Sequence, residues 1–168
     1  MKARPISLIA ALTFCWLGVT LAMPSGASET PSSSTASTSQ SPAEQEIRAA
    51  AAAIVTAFGR SDRAAYFALF APDATFIFHT SPRRFDSRAE YEAEWNRWER
   101  EDDFKVLSCT SSNQRVQLLG DTAIFTHSVR TELSTKQGNS TLLERETIVF
   151  NRRGGHWLGV HEHLSPQP

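Results

Sequence analysis

The chain has 168 residues and a formal net charge of −1 at pH 7. This length favours a single domain. A chain without a basic excess is not expected to bind nucleic acid. Lys2 and Arg4 are the only charged residues among the first 27, so the rest of the chain carries a net charge of −3.

The N-terminus has the layout of a secretory signal peptide. Lys2 and Arg4 precede an apolar run, Ile6 to Met23, and small residues follow at Ser25 to Ala27. This order of basic, apolar and small residues predicts a cleaved signal over residues 1–27, and therefore a secreted or periplasmic protein with no membrane association after cleavage. A membrane anchor is the alternative, because the apolar run approaches the length that spans a bilayer.

Residues 28–42 are rich in Ser, Thr and Pro and cannot form a core, so they are predicted to be a disordered linker before a domain over residues 43–165. Cys15 falls inside the signal, which leaves Cys109 as the only cysteine of the exported chain. An intrachain disulfide is thereby excluded, and a buried, unreactive thiol is expected at Cys109.

Capping signals predict three helices. Ser41 and Glu44 form a capping box for a helix that runs to Phe58 and ends at Gly59, and Ser87 and Glu90 form another for a helix through about Arg100. A shorter helix is predicted from near Ser61 and is ended by Ala71 to Asp73. The apolar positions of these helices are Ile47, Ala51, Ile54, Val55, Phe58, Tyr66, Phe67, Leu69, Phe70, Tyr91, Trp95 and Trp98.

Alternating apolar residues predict the strands. An early strand covers 74–79, and later strands cover 104–119 as one long or bulged strand, 122–133, 141–151 and 156–164. In the last strand, strict alternation places Trp157, Gly159, His161 and His163 on one face, and Glu162 on the other. The first face is expected to be a pocket wall in which Gly159 leaves space for a ligand.

Helices segregated from long antiparallel strands predict an α+β domain. The segment from Tyr66 to Phe76 and the ending Trp157…His161-Glu162-His163-Leu164-Ser165 resemble the SnoaL-like / NTF2-like superfamily. The resemblance implies three helices packed on a strongly curved antiparallel sheet, in a conical barrel with an internal pocket. It does not imply one activity, because the superfamily contains isomerases, cyclases, dehydratases and non-catalytic binding proteins. The isomerase and cyclase members that the chain resembles are known for a carboxylate general base at the end of the first strand, where this chain has Phe78 and His79.

Three functions are compatible with this reading. The first is binding of a small, largely apolar molecule without catalysis. The second is general acid/base chemistry by a pocket histidine and carboxylate, for which His163, His161 and Glu146 are the candidate catalytic residues. The third is a metal site built on His161-x-His163. The residues predicted to contact the ligand are His79, Tyr91, Trp95, Phe125, His127 and Trp157.

Each histidine that binds a metal should donate its other ring N–H to an acceptor such as a carboxylate. Few such acceptors are expected here, because alternation turns Glu162 away from the two histidines. We therefore expect no bound metal and no cofactor. The resemblance also implies a homodimer through the outer face of the sheet, where Val149, Val160 and Leu164 are expected to supply apolar area.

Overall fold

The computed structural model describes residues 40–167. The predicted signal peptide and residues 28–39 of the predicted linker lie outside the described residues. The last residues of that linker belong to the domain, because Ser41 caps the first helix and Pro42 is its first residue. Among residues 40–167, no helix is both long enough and apolar enough to cross a bilayer.

Three helices and five strands follow each other along the chain. The helices are α1 (Pro42–Gly59), α2 (Arg63–Ala68) and α3 (Arg88–Asp102). The strands are β1 (Phe70–Phe78), β2 (Lys105–Leu119), β3 (Thr122–Thr135), β4 (Gly138–Arg153) and β5 (His156–Pro166).

The two predicted capping boxes begin α1 and α3. The Ser41 side chain accepts a hydrogen bond from the backbone N–H of Glu44, and the Ser87 side chain accepts one from that of Glu90. Each contact satisfies a backbone donor that the first helical turn leaves free. Gly59 ends α1 as predicted, and a Cβ atom there would lie 3.0 Å from the backbone nitrogen of Cys109. A glycine at this position therefore lets α1 approach β2 closely.

The strands form one curved, unclosed sheet in the order β1-β5-β4-β3-β2. The predicted α+β cone is confirmed. One pair differs from the predicted antiparallel sheet, since β1 runs parallel to β5 and the sheet is therefore mixed. The four long strands form the predicted antiparallel meander, and β2 has an irregularity between Ser112 and Arg115.

The start of β1 was predicted too late. Residues 70–73 belong to β1 and not to the end of α2. The prediction took Pro72 as the end of an element, because proline often ends helices and strands. However, β1 is an edge strand, and its pairing with β5 is irregular between Phe70 and Thr75. An edge strand tolerates proline at such a place, because no ladder hydrogen bond is lost there.

Candidate functional site

A cavity of about 390 Å³ lies between the helices and the concave face of the sheet. This volume falls within the range of small-molecule sites. The lining is mainly apolar and aromatic, with a few carboxyl groups and hydroxyls. Its lining residues are Ile54, Val55, Phe58, Tyr66, Phe78, Thr80, Tyr91, Trp98, Asp102, Phe104, Cys109, Val129, Thr131, Leu133, Thr135, Gln137, Leu142, Glu144, Glu146, Glu162 and Leu164.

A bulge in β5 decides which of its side chains face this cavity. Gly159 pairs with Phe150 and His161 pairs with Val149, so two residues of β5 span one step of β4 and Val160 is the extra residue. Beyond a bulge the side-chain alternation is inverted. Glu162 therefore faces the cavity.

The prediction that His161 and His163 form a pocket wall with Trp157 and Gly159 is wrong. After the bulge both histidines lie on the outer face of the sheet, where His163 is exposed and His161 is half-buried. The Nδ1 atom of His161 lies 2.8 Å from the Thr75 hydroxyl. Gly159 leaves no space for a ligand either, because a Cβ atom there would lie 2.6 Å from the ring of Phe70.

Two buried carboxyl groups lie side by side in the cavity. Glu146 is 6% exposed and Glu162 is 4% exposed. Glu162 pairs with Ile148, so it is the diagonal neighbour of Glu146 across the two strands. The two carboxyl groups are close enough for the ionisation of each to affect the pKa of the other.

Burial governs the ionisation of this pair. It raises the pKa of Glu146 to about 7, and it raises the pKa of Glu162 well above its ordinary value, with the charge of Glu146 adding to the effect. The Tyr66 hydroxyl on α2 donates a hydrogen bond of 2.7 Å to Glu162 Oε2. The pair therefore holds at least one proton at neutral pH, and Glu146 can exchange a proton there.

His127 lies directly opposite Glu146 on β3 and is buried. Its Nε2 atom is 2.7 Å from Glu146 Oε2, but the two are not aligned for a hydrogen bond, and Nε2 has no other partner. Burial lowers the pKa of His127 to about 4, so the ring is neutral at pH 7. Its Nδ1 atom lies 2.8 Å from the Ser111 hydroxyl, which accepts a hydrogen bond from Gln114.

His79 follows the end of β1 and contacts a third carboxyl group. Its Nε2 atom lies 2.7 Å from Oε1 of Glu144, whose side chain is 8% exposed. Burial raises the pKa of Glu144, and His79 opposes that shift. His79, which was predicted to contact the ligand, is not in the cavity lining. It contacts Glu144, which is.

The other predicted ligand residues are divided between the cavity and the core. Tyr91 lines the cavity, but Trp95 packs in the core and donates its N–H to Glu99, and Trp98 takes its place at the wall. Phe125 is a core residue beside His127, with 4.7 Å between the ring centroids. Trp157 lies against α1 and donates its N–H to Glu46.

Two residues of the site, Tyr66 and Glu162, were not predicted from the sequence. Tyr66 was assigned to the apolar face of its helix, and a tyrosine on such a face carries a hydroxyl that needs a partner when buried. The hydroxyl group of Tyr66 was therefore the feature of the sequence that could have indicated a role in the site. Nothing comparable in the sequence identified Glu162, because the bulge at Val160 follows from pairing across the sheet.

Within residues 40–167, no cluster of three or more His, Cys, Asp or Glu side chains could hold a metal ion. The ring centroids of His161 and His163 are 6.5 Å apart on the outer face. Cys109 lines the cavity, where burial raises the pKa of its thiol to about 11. This thiol is protonated at neutral pH and is a poor nucleophile.

Comparison with known proteins identifies the family. The family model of the SnoaL-like domain matches residues 47–168, and the chain belongs to this family. No functionally curated protein matches the chain.

Solved structures show the same fold at low sequence identity. A putative calcium/calmodulin dependent protein kinase II association domain from Xanthomonas campestris is 24% identical with a TM-score of 0.63, and the match covers 77% of this chain and 94% of that one. An NTF2-like protein from Pseudomonas putida KT2440 is 23% identical over 73% and 85% of the two chains, with a TM-score of 0.61. A ketosteroid isomerase-like protein from Erwinia carotovora atroseptica is 20% identical over 74% and 96%, with a TM-score of 0.62. Likeness at this level shows the fold alone.

Proposed function

We propose that this protein binds a small, largely apolar molecule in the cavity of its SnoaL-like domain. The observation that carries the proposal is the cavity itself, a space of about 390 Å³ with an apolar and aromatic wall and a few converging polar groups. Binding sites for small molecules have this composition. Glu146, Glu162 and Tyr66 would fix the orientation of the ligand.

Native mass spectrometry of the protein purified from its own host tests this proposal. A retained small molecule is expected in the wild type. Leu133→Trp should abolish it, because Leu133 lines the cavity and a larger ring fills the space. Ile124→Trp is the matched control, since Ile124 lies outside the cavity lining on the same strand. Equal ligand occupancy in the wild type and Leu133→Trp would contradict the proposal.

A second candidate function is general acid/base catalysis on the bound molecule. The observation that favours it is the Glu146–Glu162 pair, in which one carboxyl group keeps its proton and the other exchanges a proton near neutral pH. A base with a pKa near the working pH is the most effective. In this proposal Glu146 is the base and Glu162 the acid, and the pair replaces the predicted roles of His161 and His163.

Deuterium exchange into the retained ligand tests the catalytic role. If Glu146 is the base, Glu146→Gln should slow the exchange about 10²–10⁴-fold. His163→Ala should leave the rate unchanged, because His163 does not line the cavity. Loss of exchange in His163→Ala with full activity in Glu146→Gln would overturn this assignment and restore the histidine.

Export and self-association remain proposals. The layout of residues 1–27 supports export, and detection of the chain only in the cytoplasm of its host would contradict it. For a homodimer, the outer face offers Val149, Val160 and Ile77, which is 37% exposed. Leu164 was wrongly assigned to that face, since it lines the cavity. Sedimentation as a monomer at micromolar concentration would argue against the dimer.

A further inference from the structure

Among the described residues, the cavity wall has acidic side chains but no basic ones. The wall contains the carboxyl groups of Asp102, Glu144, Glu146 and Glu162, and among residues 40–167 no Lys, Arg or His lines it. A cavity lined by a single sign of charge attracts a ligand of the opposite sign. The cavity therefore favours a cation over an anion.

The protein supplies no counterion to Glu146 or Glu162. Glu144 has His79 as a partner at 2.7 Å. For Glu146 the nearest basic group is His127, which burial keeps neutral at pH 7. Its Nε2 atom is buried beside Glu146 without a hydrogen-bond partner. A buried carboxylate without a counterion is unfavourable, and a cationic ligand would supply the missing charge.

Aromatic rings surround the same space. Tyr66, Tyr91 and Trp98 line the cavity, and Phe58 and Phe104 complete the aromatic wall. The face of an aromatic ring attracts an ammonium group, most strongly where water is excluded. A cavity lined by both aromatic rings and carboxyl groups is thus suited to an ammonium group that is attached to an apolar body.

We propose that the ligand is an organic amine, a compact apolar molecule with one ammonium group for which Glu146, supported by Glu162, is the counterion. This inference rests on the proposed function, because it names the chemical class of the molecule that the cavity binds. The apolar body would occupy the space between Val129, Leu133 and the aromatic wall.

Binding of an ammonium group is linked to the proton on Glu146. Since the pKa of Glu146 is about 7 without ligand, about half of the molecules must release a proton at pH 7 when the cation binds. Affinity for the amine therefore rises as the pH increases towards 8, while a neutral ligand shows no such rise. The titratable groups that face Glu146 are His127 on β3, Cys109 on β2, Glu162 on β5, Glu144 on its own strand, Tyr66 on α2 and Tyr91 on α3.

Isothermal titration calorimetry with matched probes tests this proposal. Adamantylamine, adamantanol and adamantanone share one apolar body and differ in the polar group. We expect the amine to bind the purified protein at least about tenfold more tightly than either neutral probe at pH 8. The advantage should shrink by about tenfold or more at pH 5.5, because most Glu146 is protonated there. Titrations at pH 7 in buffers of different ionisation enthalpy should show proton release with the amine only.

Two isosteric substitutions locate the effect. Glu146→Gln should remove the preference for the amine over the neutral probes, together with its pH dependence. Glu132→Gln is the matched control, because Glu132 is on β3, outside the cavity lining, and pairs with Arg130. It should bind all three probes as the wild type does.

The outcomes distinguish the amine inference from the proposed binding function on which it rests. Tighter binding of adamantanol or adamantanone than of the amine, without pH dependence, would overturn the amine inference and leave the proposed binding function intact. Binding of none of the three probes would contradict both. An amine preference that persists in Glu146→Gln would also overturn the inference, because Glu146 would not be the counterion.

Discussion

Glu146 and Glu162 are diagonal neighbours on the concave face of the sheet, and both are buried. Strict alternation along β5 would turn Glu162 to the outer face. The bulge at Val160 reverses the alternation and brings the second carboxyl group into the cavity. The chemistry proposed for this cavity therefore depends on one extra residue in one strand.

The ionisation of Glu146 predicts how stability depends on pH. Its pKa is raised by burial from 4.5 to about 7, so the folded chain binds more protons than the unfolded chain between these values. Stability from this group is therefore present below pH 4.5 and is lost as the pH rises through 7. Relative to the wild type, Glu146→Gln should gain on the order of 2–3 kcal/mol between pH 5 and pH 8.

Urea denaturation at several pH values measures this difference. Thr147→Ala serves as the control, because it lies next to Glu146 on β4, outside the cavity lining, and does not titrate. A Glu146→Gln variant whose stability runs parallel to that of the wild type from pH 5 to pH 8 would show that the carboxyl group is ionised throughout.

The contribution of His127 to stability should depend on pH in the opposite direction. Burial lowers its pKa from 6.5 to about 4, so the unfolded chain binds the additional proton. Stability from the neutral ring is present above pH 6.5 and is lost as the pH falls towards 4. His127→Gln should therefore become more stable relative to the wild type, by on the order of 2 kcal/mol, when the pH falls from 7 to 4.5. The same urea series measures it, with Thr126→Ala as a non-titrating control, and a loss of relative stability at pH 4.5 would contradict a neutral His127.

Much of the fold could be predicted from local sequence signals. Ser41 and Ser87 marked two helix starts because capping is an interaction between residues close in the chain. The parallel pairing of β1 with β5 and the bulge at Val160 could not be predicted, because both depend on the register between strands that are distant in sequence. For the same reason the sequence could not indicate that Glu162 faces the cavity.

Deletion of Val160 tests the bulge directly. Gly159 and His161 already pair with consecutive residues of β4, so removing Val160 leaves both in their present register. We expect the deletion variant to fold, at a cost of about 1–3 kcal/mol from the altered twist. Deletion of Leu158, which pairs with Asn151, should be far more damaging because it forces a shift of the strand. Equal loss of stability in both variants, measured by thermal unfolding, would contradict this register.

Gly159 is expected to resist substitution for a packing reason. A Cβ atom would lie 2.6 Å from the buried ring of Phe70, so Gly159→Ala must displace that ring. We expect a destabilisation of about 1–3 kcal/mol. Phe70→Leu should cost less stability in the Gly159→Ala background than in the wild type. In that background the smaller leucine side chain also relieves the clash with the new Cβ atom. Strict additivity in this double-mutant cycle would show that the two residues do not contact each other.

Glu146 and Glu162 together hold at least one proton in the cavity at neutral pH. Infrared spectroscopy of protein labelled with ¹³C-carboxyl glutamate measures it most directly, because a protonated carboxyl group has its own C=O stretching band. We expect this band at pH 7 in the wild type and a weaker band in Glu162→Gln, because Glu146, with a pKa of about 7, is then the only member of the pair that can contribute to it. A wild-type spectrum at pH 7 that contains only ionised carboxylate bands would contradict the claim.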